Sequence, residues 1–561
     1  MKRKGAVCTI IAKNYLAHAR CLMDSLAQFH PELARFVILA DTVDGCFDPA
    51  REAFEVLTSE QLEIPNSKWF HFKYTKLELC TALKPYVIDH LFSAHDLDYV
   101  LYLDPDILIC GELTPVLERL EVESLVLTPH VTEPLDGPMR PSELDILRAG
   151  TYNCGFVGVR RCEEALAFVE WWKRRLYDYC VVDLPRGLFL DQRWIDLAPS
   201  FISRVGVIRD PSFNVAYWNL SQREISFSNG RFLVNGRPLG FYHFSGFDPE
   251  RIESLTQHQP GFRLSEHPAL ERLAEEYRGL LFAHGHDQCR SWPYAYGRFD
   301  NGIEIPEAGR SLHQESPGSP EAVSNPFSDQ GFREFVRVWN EPIQIDGGAR
   351  PYLTRLAYKV YRTKADLQAA MPDVFNVGHR QFLAWLMSRD KGEPTLPDVF
   401  LAPLKEGREE PHPRSSPAGA AEVMPLALGI AAGTARLALP RLALDIYAKR
   451  PDLQAFFPDF LGRDSIKYLV WLLSFGRRDY LKSPAFSATL RRLWADVLQS
   501  LPSPWLRMRY RVVLGVARMA AAAGPLLGRA VRTRLCQRIL GATARPPAAS
   551  VVPDRSAPTE V

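Results

Sequence analysis

Over its first ~265 residues the chain alternates short apolar runs with amphipathic stretches, and this alternation most restricts the fold. Apolar runs at 6–11, 36–40 and 99–103 have the length and β-branched content of buried strands. Between them, residues 17–29 and 77–91 space their apolar positions as helices do. Strands alternating with helices build an α/β fold, a mostly parallel sheet with helices on both faces. The first strand-to-helix turn lacks G-x-G-x-x-G, so no dinucleotide fingerprint is present.

At 561 residues the chain exceeds one domain of ~100–200 residues. Net charge of +1 gives no global attraction to nucleic acid, which is not expected as a partner. The ten cysteines form no C-x-x-C pair or zinc spacing and read as free thiols in a reducing compartment. The start, MKRKGAVCTIIAKNY, has too short an apolar run for a signal peptide and reads as a first strand. No run of 18 or more uninterrupted apolar residues suggests a spanning helix. The expected location is cytoplasmic.

The run YVLYLDPD at 99–106 ends in Asp104 and Asp106. Side chains at i and i+2 of an extended chain point the same way, so both carboxylates can reach one ion. Mg2+ and Mn2+ take oxygen ligands of this kind, often shared with substrate phosphates. D-x-D arises about once in a chain of this size by composition alone. Indeed Asp96-Leu97-Asp98 has the same spacing. Position separates the pairs: Asp96 and Asp98 precede the strand, whereas ligands bind outside the carboxyl ends of strands.

Three further features follow. TYNCGFVGV at 151–159 places Asn153 and Gly155 before an apolar strand. LFLDQRW at 188–194 places Asp191 and Gln192 after an apolar run. FYHFSGF at 241–247 places His243 and Gly246 after another. Each residue also has a structural reading. His243 could be hydrogen-bonded core, Asn153 a turn former, Asp191 an N-cap, and Lys84 in ELCTALKP a helix-end cation. Asn214 and Trp218 in RDPSFNVAYWNL read as a wall of an acceptor site or as a buried aromatic corner. His130 in LTPH follows one more apolar run.

The order D-x-D, N-x-G, D-Q, H-x-x-G resembles nucleotide-sugar glycosyltransferases of the GT-A fold. It is most similar to the retaining family 8 group that includes glycogenin and bacterial lipopolysaccharide galactosyltransferases. The resemblance covers residues 5–250 and implies roles. Asp104, Asp106 and His243 would hold Mn2+ or Mg2+ on the donor diphosphate. Lys84, Asn153, Gly155, Gly246, Asn14 and Tyr15 would bind the donor. Asp191 and Gln192 would act at the reacting sugar, with Asp191 a base on the acceptor if the enzyme inverted. The partners implied are a nucleotide-sugar donor and a saccharide or glycolipid acceptor, in cell-envelope polysaccharide or lipopolysaccharide synthesis. Two features depart from the group. Phe247-Asp248-Pro249 stands where Lys-Pro-Trp is common, with Lys84 or Arg251 as substitutes. Ala12 and Lys13, not an acid, precede Asn14-Tyr15, which puts uracil recognition in question. The rival readings are a metal-dependent nucleotidyltransferase and a non-catalytic scaffold on a transferase fold.

Beyond 265 the character changes. Residues 266–345 form an aromatic-rich extension and linker. YRTKADLQAAMPDVFNVGHRQFLAWL at 361–386 then aligns without gaps to YAKRPDLQAFFPDFLGRDSIKYLVWL at 447–472, a spacing of 86 residues. This predicts a duplicated helical unit, at 346–402 and 421–500. Residues 501–542 carry many arginines and no acid, and read as a basic amphipathic helical segment. One reading is peripheral contact with the inner face of a membrane through 505–540; the other is a helix packed on the repeats. Residues 543–561 read as a disordered tail.

Overall fold

The computed structural model describes residues 3–135, 141–259, 262–315, 323–344 and 352–371, then shorter stretches up to residue 523. Much of the second repeat, Arg529, Arg532, Arg534, Arg538 and the tail at 543–561 lie outside the described residues. The chain divides into two compact units: residues 1–310 with 323–332, and residues 311–322 with 333–561.

The first unit is built on a seven-stranded sheet. Its strands in chain order are β1 (Gly5–Ile11), β2 (Ala34–Leu39), β3 (Glu55–Thr58), β4 (Tyr99–Leu103), β6 (Leu125–Pro129), β7 (Tyr152–Arg160) and Val205–Val207. A short β5 (Ile107–Ile109) lies outside it. From one edge the order is Val205–Val207, β6, β7, β4, β1, β2, β3. Every neighbouring pair is parallel except those made by β7, which runs antiparallel to both β4 and β6. β1 and β4 are buried along their whole length, which accounts for their unbroken apolar sequence. Helices cover both faces, including Leu16–Phe29 and Glu163–Tyr179.

The expected single helix over 77–91 is two helices, Lys76–Ala82 and Lys84–Ala94. Thr75 and Glu78 cap the first reciprocally, Thr75 N donating to Glu78 Oε2 at 2.9 Å. Pro85 lacks the N–H a continuing helix needs, so the second helix starts afresh with Pro85 in its first turn. Lys84 therefore sits at a helix start facing the sheet, where its side chain is buried.

The first unit extends past residue 265. Pro268–Ala283 buries Leu270, Leu273, Tyr277 and Leu281. Ala295 N donates to Asp41 at 2.9 Å, and the buried Arg310 guanidinium donates to the carbonyls of Tyr74 at 2.9 Å, Phe72 and Tyr296. The nine described cysteines are all free thiols.

The second unit is helical with short strand pairs and has its own core. Positions 86 residues apart make the same contacts in it. Tyr361 Oη donates to Met371 O at 2.9 Å, and Tyr447 Oη to Phe457 O at 2.8 Å. Tyr361 meets Phe382 edge-on at 5.5 Å, and Tyr447 meets Tyr468 edge-on at 5.5 Å. No described helix is long and apolar enough to cross a membrane.

Candidate active site

The carboxyl edge of the sheet gathers the predicted residues. Asp104 follows β4 directly. The chain then turns, Ile107 N donating to Asp104 O at 3.2 Å, and enters β5. The two carboxylates thus converge through a turn, not through the alternation of an extended strand. β5 pairs antiparallel with Phe241–His243, in a register that sets His243 opposite Ile107. Phe244 N donates to Asp106 O at 2.8 Å and fixes this register. His243 Nε2 lies 3.2 Å from Asp106 Oδ1 and 3.8 Å from Asp104 Oδ2. One donor atom from each of Asp104, Asp106 and His243 falls within 4.8 Å of the others.

The surroundings fit these donors to a divalent cation. His243 Nδ1 lies 3.3 Å from Asn214 Oδ1. Asn214 donates its Nδ2 to Thr128 Oγ1 at 2.8 Å and Asn153 Oδ1 at 3.0 Å, so its Oδ1 is an acceptor. Nδ1 therefore carries a proton toward Asn214, and Nε2 is aimed at the two carboxylates, where a bound cation could take its lone pair. Tyr102 Oη donates to Asp104 Oδ1 at 2.7 Å and orients that carboxylate.

Asn153 and Gly155 do not precede a strand, as expected, but lie inside β7. Because β7 is antiparallel to β4, its first residues return to the edge where β4 ends. Asp104 N donates to Gly155 O at 2.8 Å. A Cβ on Gly155 would stand 2.4 Å from His243 Cε1, so only glycine admits the imidazole here.

Lys84 is buried between the carboxylates. Its Nζ lies 2.9 Å from Asp191 Oδ2 and 3.6 Å from Asp104 Oδ1, and donates to Cys154 O at 2.9 Å. Burial works against its charge, but Asp104 and Asp191 outweigh it and hold the ammonium well above the ordinary lysine value. Burial lifts the Asp191 carboxyl while the Lys84 ammonium opposes the rise. Asp191 begins the helix Gln192–Ile195 yet does not cap it with its side chain. Leu190 before it holds a left-handed φ of 49°, a strained conformation that aims Asp191 inward. Gln192 Oε1 accepts from Asn153 Nδ2 at 3.1 Å and Cys154 N at 3.2 Å, and its Nε2 donates to Ala149 O at 3.2 Å.

The remaining predicted residues differ in exposure. Asn214 is fully buried in the network around His243. Trp218 is buried and stands edge-on to His243 at 5.1 Å and to His130 at 5.4 Å. Tyr15 is 40% exposed and stacks on His18 at 4.3 Å. Gly246 has a φ of 71°, and a Cβ there would stand 2.7 Å from both His258 Cδ2 and Thr256 Oγ1. Lys13 is spent on Asp41 at 3.1 Å and Asp44 at 2.6 Å. Asp96 and Asp98 bind Lys4 at the surface, Asp98 Oδ2 accepting from Lys4 N at 2.8 Å.

Buried side-chain atoms with no hydrogen-bond partner include Asn14 Oδ1 and Trp218 Nε1. Unsatisfied polar atoms buried at one edge of a sheet are what a polar ligand would satisfy. Sequence reasoning missed Tyr102 and Thr128, although Tyr102 lies within YVLYLDPD and Thr128 within LTPH.

No protein-family profile matches the chain. Two uncharacterised proteins of Bacillus subtilis (strain 168) are similar to it. YfnF is 27% identical over 266 residues, 45% of this chain and 85% of that protein. YfnD is 31% identical over 196 residues, 34% of this chain and 59% of that protein. Among solved structures, the galactosyltransferase LgtC in complex with donor and acceptor sugar analogues matches with a TM-score of 0.32 and 16% identity, over 50% of this chain and 95% of that one. The glycosyltransferase GlyE of Streptococcus pneumoniae TIGR4 matches with a TM-score of 0.29 and 13% identity, over 53% of this chain and 67% of that one.

Proposed function

We propose that the chain is a metal-dependent glycosyltransferase of the GT-A type, moving a sugar from a nucleotide-sugar donor to a saccharide or glycolipid acceptor. The observation that carries this reading is the convergence of Asp104, Asp106 and His243 at the carboxyl edge of a parallel sheet, with Asn214 turning His243 Nε2 toward the acids. Held by these three residues, Mn2+ or Mg2+ would neutralise the charge growing on a diphosphate leaving group as the anomeric C–O bond breaks. Imidazole in the set favours Mn2+.

The chain's own groups do the rest. Lys84, kept charged, adds positive potential beside Asp104. Asp191, its Oδ2 paired with Lys84, sets a carboxylate where a sugar hydroxyl or positive charge developing on the ring could meet it. Gln192 holds the start of β7 in place and is assigned to the same end of the site. Asn153 and Gly155 keep His243 in register, while Asn14, Tyr15 and Gly246 line the donor side and Trp218 the acceptor side. Retention of configuration is proposed from the family resemblance, an envelope-polysaccharide acceptor from that resemblance and the basic C-terminal segment, and a cytoplasmic setting from the free cysteines. The 86-residue register, with its matching tyrosine contacts, supports two copies of one helical unit at 346–402 and 421–500. Exposed Met508, Val512 and Val516, with Arg511 among them, support a peripheral membrane contact by the helix Pro504–Ala523.

The test is donor hydrolysis and binding across a panel of nucleotide sugars with Mn2+, Mg2+ or EDTA, on wild type and Asp106→Asn. Turnover of one donor that requires metal and is lost in the variant is the expected result. No binding of any donor under any metal would refute it.

A further inference from the structure

A belt of aromatic rings runs over the outside of the first unit, next to the site but not part of it. Arg175 lies 6.0 Å from the Trp171 ring. Trp171 meets Phe201 edge-on at 4.9 Å and Trp194 at 6.1 Å. Trp194 meets Tyr179 at 6.0 Å, and Arg186 lies 5.7 Å from the Tyr179 ring. The paired strands Val182–Asp183 and Leu188–Phe189 lead from this belt toward Asp191, with exposed Val182 on the first and exposed Leu184 in the turn between them. Phe201 is 53% exposed, Val182 52%, Leu184 47%, Leu197 42% and Tyr179 37%. Single exposed apolar residues are ordinary, but a connected set rimmed by charge marks an interaction surface.

The chemistry of the belt selects the partner. Trp and Tyr combine an apolar body with a polar tip, the property that settles them at the headgroup level of a bilayer. The charges are complementary to an anionic surface. The nearby acids have cationic partners: Asp183 with Arg186 at 3.3 Å, Asp196 with Arg193 at 2.6 Å, Asp178 with Lys73 at 3.1 Å, and Asp89 and Glu170 sharing Lys173 at 2.6 and 3.1 Å. Arg174 and Arg175, on the same helix as Trp171, have no carboxylate partner among the described residues. They supply the surplus positive charge that anionic headgroups attract.

We propose that this face docks on the interface of an anionic phospholipid bilayer. Trp194 lies on the outer side of the helix Gln192–Ile195, whose residues Gln192 and Ile195 are buried, so the face adjoins the site through one short helix. The docking does not depend on the transferase reading.

The test uses the full chain with vesicles of phosphatidylcholine alone and of phosphatidylcholine with phosphatidylglycerol. Co-sedimentation and a blue shift of tryptophan fluorescence are expected only with phosphatidylglycerol. The triple variant Val182→Ser, Leu184→Ser, Phe201→Ser, at exposed positions that leave the core intact, should bind at least about tenfold more weakly. Arg174→Gln with Arg175→Gln should lose the preference for phosphatidylglycerol. Met508→Ser, Val512→Ser, Val516→Ser removes the contact proposed for the helix Pro504–Ala523 and should keep the fluorescence shift; the other variants are made in this background, which then serves as their wild type. Absence of vesicle binding by wild type, or wild-type binding by the triple variant, overturns the proposal. A dimer that the triple variant abolishes, with no vesicle binding, overturns it in favour of a second copy as the occupant. Donor turnover without vesicles should be the same in wild type and triple variant, so a failed docking experiment leaves the transferase reading standing.

Discussion

Lys84 is the buried counter-charge of Asp191, with 2.9 Å between Nζ and Oδ2, and the same ammonium reaches Asp104 at 3.6 Å. One cation thus ties the acid at the end of β4 to the acid at the start of the Gln192–Ile195 helix. Removing one partner of a buried pair strands the other charge. Lys84→Met is expected to cost about 3–5 kcal/mol in urea unfolding and to abolish donor turnover in the folded fraction. A variant as stable as wild type would show that the pair does not hold the site together.

Asn214 should act through His243. Partners that orient a ligating histidine are typically worth about 10–100-fold in metal affinity. Asn214→Ala is expected to weaken Mn2+ binding by about that factor in calorimetric titration, with Asp104 and Asp106 unchanged. Unaltered affinity would mean that the 3.3 Å contact to Nδ1 does not fix the imidazole.

Gly155→Ala tests the close approach from the other side. The added methyl would stand 2.4 Å from His243 Cε1 and 2.7 Å from Asn153 Oδ1. Relief requires the ring to move, at a cost of about 1–3 kcal/mol. Thermal unfolding should show that loss, and Mn2+ affinity should fall with it.

Acid sensitivity should come partly from two buried histidines. Burial lowers His18 and His130 from 6.5 to about 4. Between those values the unfolded chain binds a proton that the folded chain does not. Stability therefore falls as pH drops from 6.5 toward 4, and the effect levels off below that. Each histidine accounts for roughly 3 kcal/mol of this change. His18→Gln should flatten its share of the slope of unfolding free energy against pH. An unchanged slope would place His18 outside the acid response.

The helical unit offers a matched pair. Tyr361→Phe and Tyr447→Phe each remove one buried hydrogen bond to a carbonyl ten residues on. Each is expected to cost about 1 kcal/mol, or more where the carbonyl finds no water. Similar losses in chemical denaturation would support the duplication. A silent Tyr447→Phe beside a costly Tyr361→Phe would count against it.

The sequence by itself determined the unbroken apolar strands β1 and β4, the acids at the carboxyl end of β4, and the apolar run that delivers His243. These are local matters: a buried parallel strand must be apolar throughout, and a strand's end exposes whatever follows it. The sequence also carries the 86-residue register, because a repeat is visible wherever it occurs. Only the tertiary structure decided that β7 runs antiparallel beside β4. That single reversal puts Asn153 and Gly155 at the edge where Asp104 emerges, within a strand that reads in sequence as beginning later. Pro85 broke the helix at Leu83, a local signal present in the chain, but only the tertiary structure turned Lys84 inward and set His243 opposite Ile107, within reach of Asp106. Asn214 could be flagged from sequence but not linked to His243, 29 residues away. Contacts of this kind depend on strand order and register, which are fixed by packing between distant segments and leave no periodicity in the chain.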